Sequence, residues 1–470
     1  MAQCTNTPPA SPPVAADNND QSLGKSNQFR DFKAKVAATK LDAFYDTQRK
    51  EFLTKNAAGR WHAYNEAQFK RTLRAKGISS TRPDKALTSP AEDVMLAIQD
   101  QHDVAYAGAL AGRQQRFYDE NGLRFLVTSS PLIIKAQKRT WDTLNTFLAN
   151  LLAGPDEPYA DQQWITFNGW LSTARRSLKE GRFQPGQALA IAGVIESGKS
   201  LLQGLITQVL GGRSAKAAMW LQGRTDFNSE LFGAEHLMLE DESASTSHAA
   251  RMALATAIKS MVANRFHPCH AKRRDIVNLA PWWRLTISLN DEPEHMLVLP
   301  PINADMADKI ILLRATKDEM PMPTVTAEQQ ETYWARLMEE LPGYMWWLEN
   351  EFTIPKEYLS TRFGVSAFHH PALLEALDEL SPAFRMLGLI DLAKPWGTGI
   401  EWKGTADTLR ALLLNNPTTQ RDASKLLEFP DRCGRYLGEL SRKRPARVQN
   451  ARTEDVRNWV VYPPVSYGRK

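Results

Sequence analysis

The chain has 470 residues, a net charge of +5 and 43% hydrophobic residues, a length and an apolar content that predict two to four folded domains. Its three cysteines, Cys4, Cys269 and Cys433, are far apart and odd in number, which argues against a disulfide framework and for a reducing cytoplasm. No apolar run reaches the ~18 residues of a membrane span, and the Met-Ala-Gln-Cys start has neither the basic start nor the apolar core of a signal peptide.

Residues 1–28 are rich in Pro, Ser, Asn and Asp, and are expected to be a disordered tail. Residues 29–180 read as a mainly helical accessory region, with Phe32–Phe44 as one helix. A strand pair is expected over Phe117–Val127, turned by Asn121-Gly122. No chemistry is visible there. Residues 187–314 then alternate apolar strands with helices, the pattern of an α/β fold on a parallel sheet. The predicted strands are Ala188–Ala192, Ala217–Leu221, His236–Leu239, Leu285–Leu289 and Ile310–Leu313. A helical connector follows over 326–396, and a basic module over 397–470.

Gly193-Val194-Ile195-Glu196-Ser197-Gly198-Lys199-Ser200 has the spacing of a phosphate-binding loop, and Leu201 begins the helix after it. Glycines let backbone N–H groups point into a concavity and approach phosphate oxygens. The helix N-terminus adds positive potential. Lys199 is placed to reach the β- and γ-phosphates of ATP, and Ser200 to ligate Mg2+. The plain alternative is a glycine-rich strand–helix turn, but the strand before and the amphipathic helix after favour the phosphate loop. Its span over 181–325 is expected to be the ATPase domain.

The predicted strand at His236 ends in Glu240, Asp241 and Glu242. A carboxylate on a neighbouring strand must hold the metal, and another must polarise the attacking water. Asp241 for Mg2+ and Glu242 for water is the preferred register; a shift by one makes them Glu240 and Asp241. The same acids could simply precede a helix near Ser247. The strand Arg284–Leu289 ends in Asn290, whose amide can hydrogen-bond water or the γ-phosphate; Asn290-Asp291 also reads as an ordinary turn. Between them, Arg265–Asp275 is a basic stretch carrying Lys272, Arg273 and Arg274, suited to a phosphate backbone. His267, Cys269 and His270 match no zinc module.

In this order the motifs resemble the superfamily 3 helicases, closest to the primase-associated helicases of phages, plasmids and large viruses. The resemblance covers 185–320 and includes Thr225–Asn228, Phe232–His236, Leu299–Pro301 and Asp308-Lys309. It implies an AAA+-like ATPase forming a homo-hexameric ring that unwinds DNA in a bacterial host's cytoplasm. It also implies a basic hairpin putting Lys272 or Arg273 on single-stranded DNA in the pore. A basic residue from the neighbouring subunit would complete each site; Lys309 stands where relatives often carry Arg, and Arg314 is nearby. No carboxylate set for a primase is visible in 29–180, so a primase or polymerase would be a separate partner.

Residues 401–470 hold fourteen Lys/Arg against eight Asp/Glu, a net of +6, which leaves about −1 for the rest of the +5 chain. Three short helices, Thr405–Leu414, Thr419–Leu427 and Asp431–Lys443, precede a hairpin over 447–462. This looks like a winged helix, with Arg432, Arg435, Arg442 and Arg447 as candidate contacts to duplex DNA. The bland reading is a small helical domain packed on the ring.

Overall fold

Two strands whose residues are all buried, Ala188–Gly193 (β1) and Arg284–Leu289 (β4), form the centre of the molecule's largest sheet. Burial on both faces is what a parallel sheet sandwiched between helices demands, and it explains their near-continuous apolar sequence. The computed structural model describes residues 40–154, 157–240, 245–452 and 457–464. The tail expected over 1–28, and residues 32–39 of the helix expected over Phe32–Phe44, lie outside the described residues; the rest of that expectation is corrected, since the chain turns at Leu41-Asp42 and Phe44 opens a strand. The chain divides into two compact units. One comprises the described residues up to Pro131 with 227–235 and 266–282; the other comprises 132–226, 236–265 and the described residues from Trp283.

In the larger unit, Ser214–Lys216 (β2), His236–Glu240 (β3) and Ile310–Ala315 (β5) complete a five-stranded sheet of order β5-β1-β4-β3-β2, parallel throughout. The strand that ends at Asn290 therefore lies between the loop strand β1 and the acidic strand β3. Two helices join the frame: Lys199–Val209 (α1) after the loop, and His248–Ala263 (α2), which Ser247 caps at Ala250 N.

The strand expected at Ala217–Leu221 is a correction. Ser214–Lys216 pairs with His236–Met238 instead, and Ala218–Leu221 is a helical turn. Its buried residues are Ala218 and Leu221, three apart, the spacing of a helix face. The true edge strand is polar and mostly exposed, as sheet edges are. Helices Asp142–Leu152, Ala160–Glu180 and Ala327–Asn350 belong to the same unit.

At its C-terminal end, helices Ala406–Asn415, Gln420–Leu426 and Asp431–Lys443 pack with an antiparallel sheet of order Trp402–Gly404, Arg457–Val461, Val448–Arg452. Leu409, Leu413, Leu437, Leu440 and Trp459 fill the core between them.

The smaller unit departs from the mainly helical expectation. The hairpin at Phe117–Glu120 and Leu123–Val127 forms, with Asn121 (φ +55°) and Gly122 (φ +79°) both left-handed, as a two-residue turn requires. Tyr106–Gly108 joins it, and a separate four-stranded sheet runs Trp61–Tyr64, Glu51–Lys55, Phe44–Asp46, Asp103–Val104. Strands of two to five residues are too short for alternation to emerge from sequence. Helices Glu66–Ala75 and Pro90–Gln101 cover this sheet around a Phe52–Phe69 ring stack of 4.5 Å.

Candidate nucleotide site and basic hairpin

The loop begins at Gly193, which pairs with Ala315 of β5. A Cβ on Gly193 would lie 2.3 Å from the Ala315 carbonyl oxygen, so only glycine fits. The loop then turns through Glu196 (φ +65°) to Gly198 (φ +97°), which starts α1. No side chain caps α1 and no acid occupies its first turn. A helix start of this kind, with no acid opposed to its positive end, favours an anion. Ser200 is exposed just inside the helix and Leu201 is half-buried.

Lys199 is only 9% exposed. Its Nζ donates to the Gly193 and Val194 carbonyls, each at 2.7 Å, and lies 3.4 Å from Ser197 Oγ and 3.5 Å from Asn290 Oδ1. The last distance is long for a hydrogen bond, but it places the β4 amide beside the loop cation. Val194 and Ile195 are exposed at the rim, where Lys317 Nζ donates to Ile195 O at 3.2 Å and pairs with Glu196 at 3.6 Å. A cleft of about 350 Å3 opens beside Val194, lined also by Asp291, Arg314, Thr316 and Lys317.

Glu240 is the last described residue of β3 and pairs with Lys216 at 2.6 Å. Asp241 and Glu242 lie outside the described residues. Lys309 precedes β5 at the end of the sheet opposite the loop: Ile310 pairs with Ala188, whereas Ala315 pairs with Gly193. Its Nζ contacts Asp308 Oδ1 at 2.6 Å and the Asp305 carbonyl at 2.8 Å. Arg314 is at the loop end of the same strand.

In the smaller unit, His267–Cys269 and Val277–Leu279 form an antiparallel hairpin, and Lys272, Arg273 and Arg274 are exposed in its turn. Asn228 pins its base: the Asn228 N–H donates to His270 O (3.0 Å), its Nδ2 to Pro268 O (3.0 Å), and its Oδ1 accepts from His270 N (2.8 Å). Asp275 N donates to Gln48 Oε1 at 3.0 Å. Burial pushes the Cys269 thiol up to about 11, so it is a packed thiol rather than a thiolate at neutral pH. Sequence reading flagged Thr225–Asn228 only through resemblance; the anchoring by Asn228 needs the fold.

The C-terminal arginines differ from one another. Arg442 is exposed, and Arg435 is exposed and pairs with exposed Asp431 at 2.7 Å. Arg432 stacks over Phe429 at 4.6 Å and lies 3.7 Å from Glu428. Arg447 instead donates to the Tyr462 carbonyl at 2.9 Å and pairs with Asp391, a commitment that takes it out of the exposed set.

A glycine cradle at the C-terminal edge of a five-stranded parallel sheet, with a buried lysine, defines a P-loop-like α/β core. No family model and no curated protein matches the chain. Among solved structures, an apo structure of the NrS-1 C-terminal region is similar over 92% of this chain and 98% of that one, at 13% identity and a TM-score of 0.51. A second apo form of that region gives 0.49 with the same identity and coverage. The SCCmec type IV Cch active helicase is similar over 86% of this chain and 73% of that chain, at 12% identity and a TM-score of 0.28. The chain thus shares the fold of the NrS-1 C-terminal region. Among the described residues, no helix is long and apolar enough to cross a membrane.

Proposed function

We propose that the chain is an ATP-hydrolysing DNA helicase of the superfamily 3 type, from a phage or other mobile element, working as a homo-hexameric ring. The observation that carries this reading is the Lys199 ammonium, held by the Gly193 and Val194 carbonyls and beside Asn290, at the loop end of the parallel sheet. Gly193, pressed against Ala315, and Gly198, at φ +97°, both demand glycine, and the bare backbone they give the loop is what close approach to the phosphates of ATP requires.

In this mechanism Lys199 exchanges its carbonyl contacts for β- and γ-phosphate oxygens, where its charge offsets what develops as the terminal bond breaks. Water attacks the γ-phosphorus in line, the bond to the β-γ bridging oxygen breaks, and Glu242 takes the proton. Asn290 orients the water or the phosphate oxygen. Ser200 and Asp241 would hold Mg2+, which would supply positive charge to offset the negative charge of the phosphates. The pairing of Glu240 with Lys216 supports the register that gives these tasks to Asp241 and Glu242. Lys309, far from its own loop, is the cation offered to a neighbour. The exposed Lys272, Arg273 and Arg274 would grip the translocating strand. The C-terminal module, with Arg432, Arg435 and Arg442, would contact duplex DNA as a winged helix.

The test is ATP hydrolysis by the full chain with and without single-stranded DNA, with Lys199→Ala as control, followed by strand displacement. DNA-stimulated hydrolysis lost in Lys199→Ala, together with displacement, is expected. Lys199-dependent hydrolysis indifferent to DNA would make the chain a switch or assembly ATPase instead.

A further inference from the structure

Beneath the candidate site, four buried polar side chains from three elements meet. Gln203 and Thr207 stand on α1, His236 opens β3, and Thr286 lies within β4; the most exposed of them is 6% accessible. Thr207 Oγ1 is 2.7 Å from His236 Nδ1, and His236 Nε2 is 2.8 Å from Thr286 Oγ1. Gln203 Nε2 is 2.8 Å from Thr286 Oγ1, and Thr207 Oγ1 is 3.0 Å from the Gln203 carbonyl. The contacts close a ring that returns to Gln203.

Counting protons gives the ring a direction. Thr207 has one hydroxyl proton, and the Gln203 carbonyl can only accept, so that proton goes to the carbonyl. Thr207 must then accept from His236, which puts the imidazole proton on Nδ1. Burial holds the ring neutral, far below its ordinary titration range. Nε2 is therefore bare and accepts from the Thr286 hydroxyl, which accepts in turn from the Gln203 amide. In this direction each of the four contacts has one proton and one acceptor, and of the ring's side-chain N and O atoms Gln203 Oε1 is the one left without a partner. The reverse direction needs the Gln203 amide turned over. It strands the NH2 group, and sets the Thr207 oxygen against the Gln203 carbonyl oxygen at 3.0 Å with no proton between them.

We infer that this one-way ring, held by His236 as its Nδ1–H tautomer, is the positioning device of the nucleotide site: it locks α1, the acidic strand and the Asn290 strand in one register. Lys199 and Ser200 begin the helix that carries Gln203 and Thr207. The acids follow β3, and Asn290 lies four residues beyond Thr286. A buried polar ring has essentially one satisfied arrangement, whereas an apolar contact in its place could slide. The positioning role rests on the nucleotide-hydrolase reading; the ring itself does not.

Two measurements separate them. Long-range 1H–15N spectra of the full chain with labelled histidine, with the His236 ring assigned by its loss in His236→Gln, should show a neutral ring protonated on Nδ1 from pH 8 to pH 5. A proton on Nε2, or titration to imidazolium in that range, overturns the ring. For the role, Thr286→Val should lower kcat for ATP by roughly tenfold or more with KM changed less than about twofold, since displacements of about an ångström at a reacting centre are costly. Thr286→Ser, which keeps the hydroxyl, should restore it. A folded Thr286→Val with wild-type kcat, or a Ser variant that fails to restore it, overturns the positioning role. If the wild-type chain hydrolyses no nucleotide, the proposed function and the positioning role fall together, while the tautomer measurement still decides the ring.

Discussion

Substituting Gly193 by alanine tests the phosphate loop at its tightest point. The new Cβ would stand 2.3 Å from the Ala315 carbonyl oxygen and 2.8 Å from the Ala315 Cβ. Both atoms belong to β5, paired with β1 at this residue, so no side-chain rotation relieves the contact. The strands must part by about an ångström, and overpacking of this kind costs roughly 1–3 kcal/mol. At about 2–4 °C per kcal/mol for a domain of this size, melting falls by several degrees. The displacement is aimed at the loop, and a misplacement of about 1 Å can cost on the order of 100-fold in function. Nucleotide affinity, read by a fluorescent ATP analogue alongside thermal melting, is expected to fall far more than stability. Gly198→Ala is the contrast: its Cβ meets the flexible Met320 end and the Phe147 ring at 3.0 Å, so its strain comes from φ +97°. A Gly193→Ala protein that melts and binds nucleotide like the wild type would refute the claim that this strand contact sets the loop.

Three further outcomes follow from other parts of the molecule. Asn290→Ala should lower kcat for ATP by roughly 100-fold, the usual loss of one transition-state hydrogen-bonding group, while nucleotide affinity changes little; equal losses in both would move Asn290 from catalysis to binding. Burial depresses His236 from 6.5 to about 3, so between those values the unfolded chain binds a proton that the folded chain refuses. Stability is therefore lost as pH falls from about 6.5 toward 3, by up to about 1.4 kcal/mol per pH unit from this residue, and urea midpoints of His236→Gln should fall less steeply with acid than those of the wild type. At the C-terminal end, the exposed Arg435–Asp431 pair contributes little to folding. Arg435→Ala with Arg442→Ala should leave melting and DNA-free hydrolysis intact while lowering the salt slope of duplex binding by about two; an unchanged slope would remove both residues from the DNA surface.

What could be read in advance was local. The glycine spacing of 193–198, Lys199 and the buried runs of β1, β3, β4 and β5 each lie within a few residues, and their chemistry is visible without a fold. The polar edge strand was not legible, because Ser214–Lys216 has no apolar signature and the apolar Ala217–Leu221 beside it buries a helix face. Apart from the Asn121-Gly122 hairpin, the small sheets before Pro131 escaped because strands of two to five residues are too short to show a period. Most opaque were pairings made by topology: Asn228 with the hairpin base, and Gln203, Thr207, His236 and Thr286 in one ring across 83 positions of sequence. His236 was legible as a strand residue, yet its partners lie on two other elements that no spacing connects.

Lys309 raises the question of whether one chain can complete its own site. The six residues of β5 separate it from the loop by roughly 20 Å at ~3.3 Å per residue, well beyond the reach of a lysine side chain. Within one protomer it can only be structural, through Asp308 and the Asp305 carbonyl. In a head-to-tail ring, one subunit's loop can face the opposite sheet end of the next. Lys199→Ala, with an intact Lys309 and a dead loop, and Lys309→Ala, with the reverse, should each be inactive. Mixed one to one, about a quarter of random interfaces pair an intact loop with an intact neighbouring lysine where both mutants meet, so hydrolysis should return to about that fraction of wild type. Full activity of Lys309→Ala alone would end its catalytic role. No recovery in mixtures shown by native mass spectrometry to exchange subunits would rule out action across the interface, and would leave Arg314, at the loop end of the same strand, as the cation to remove next.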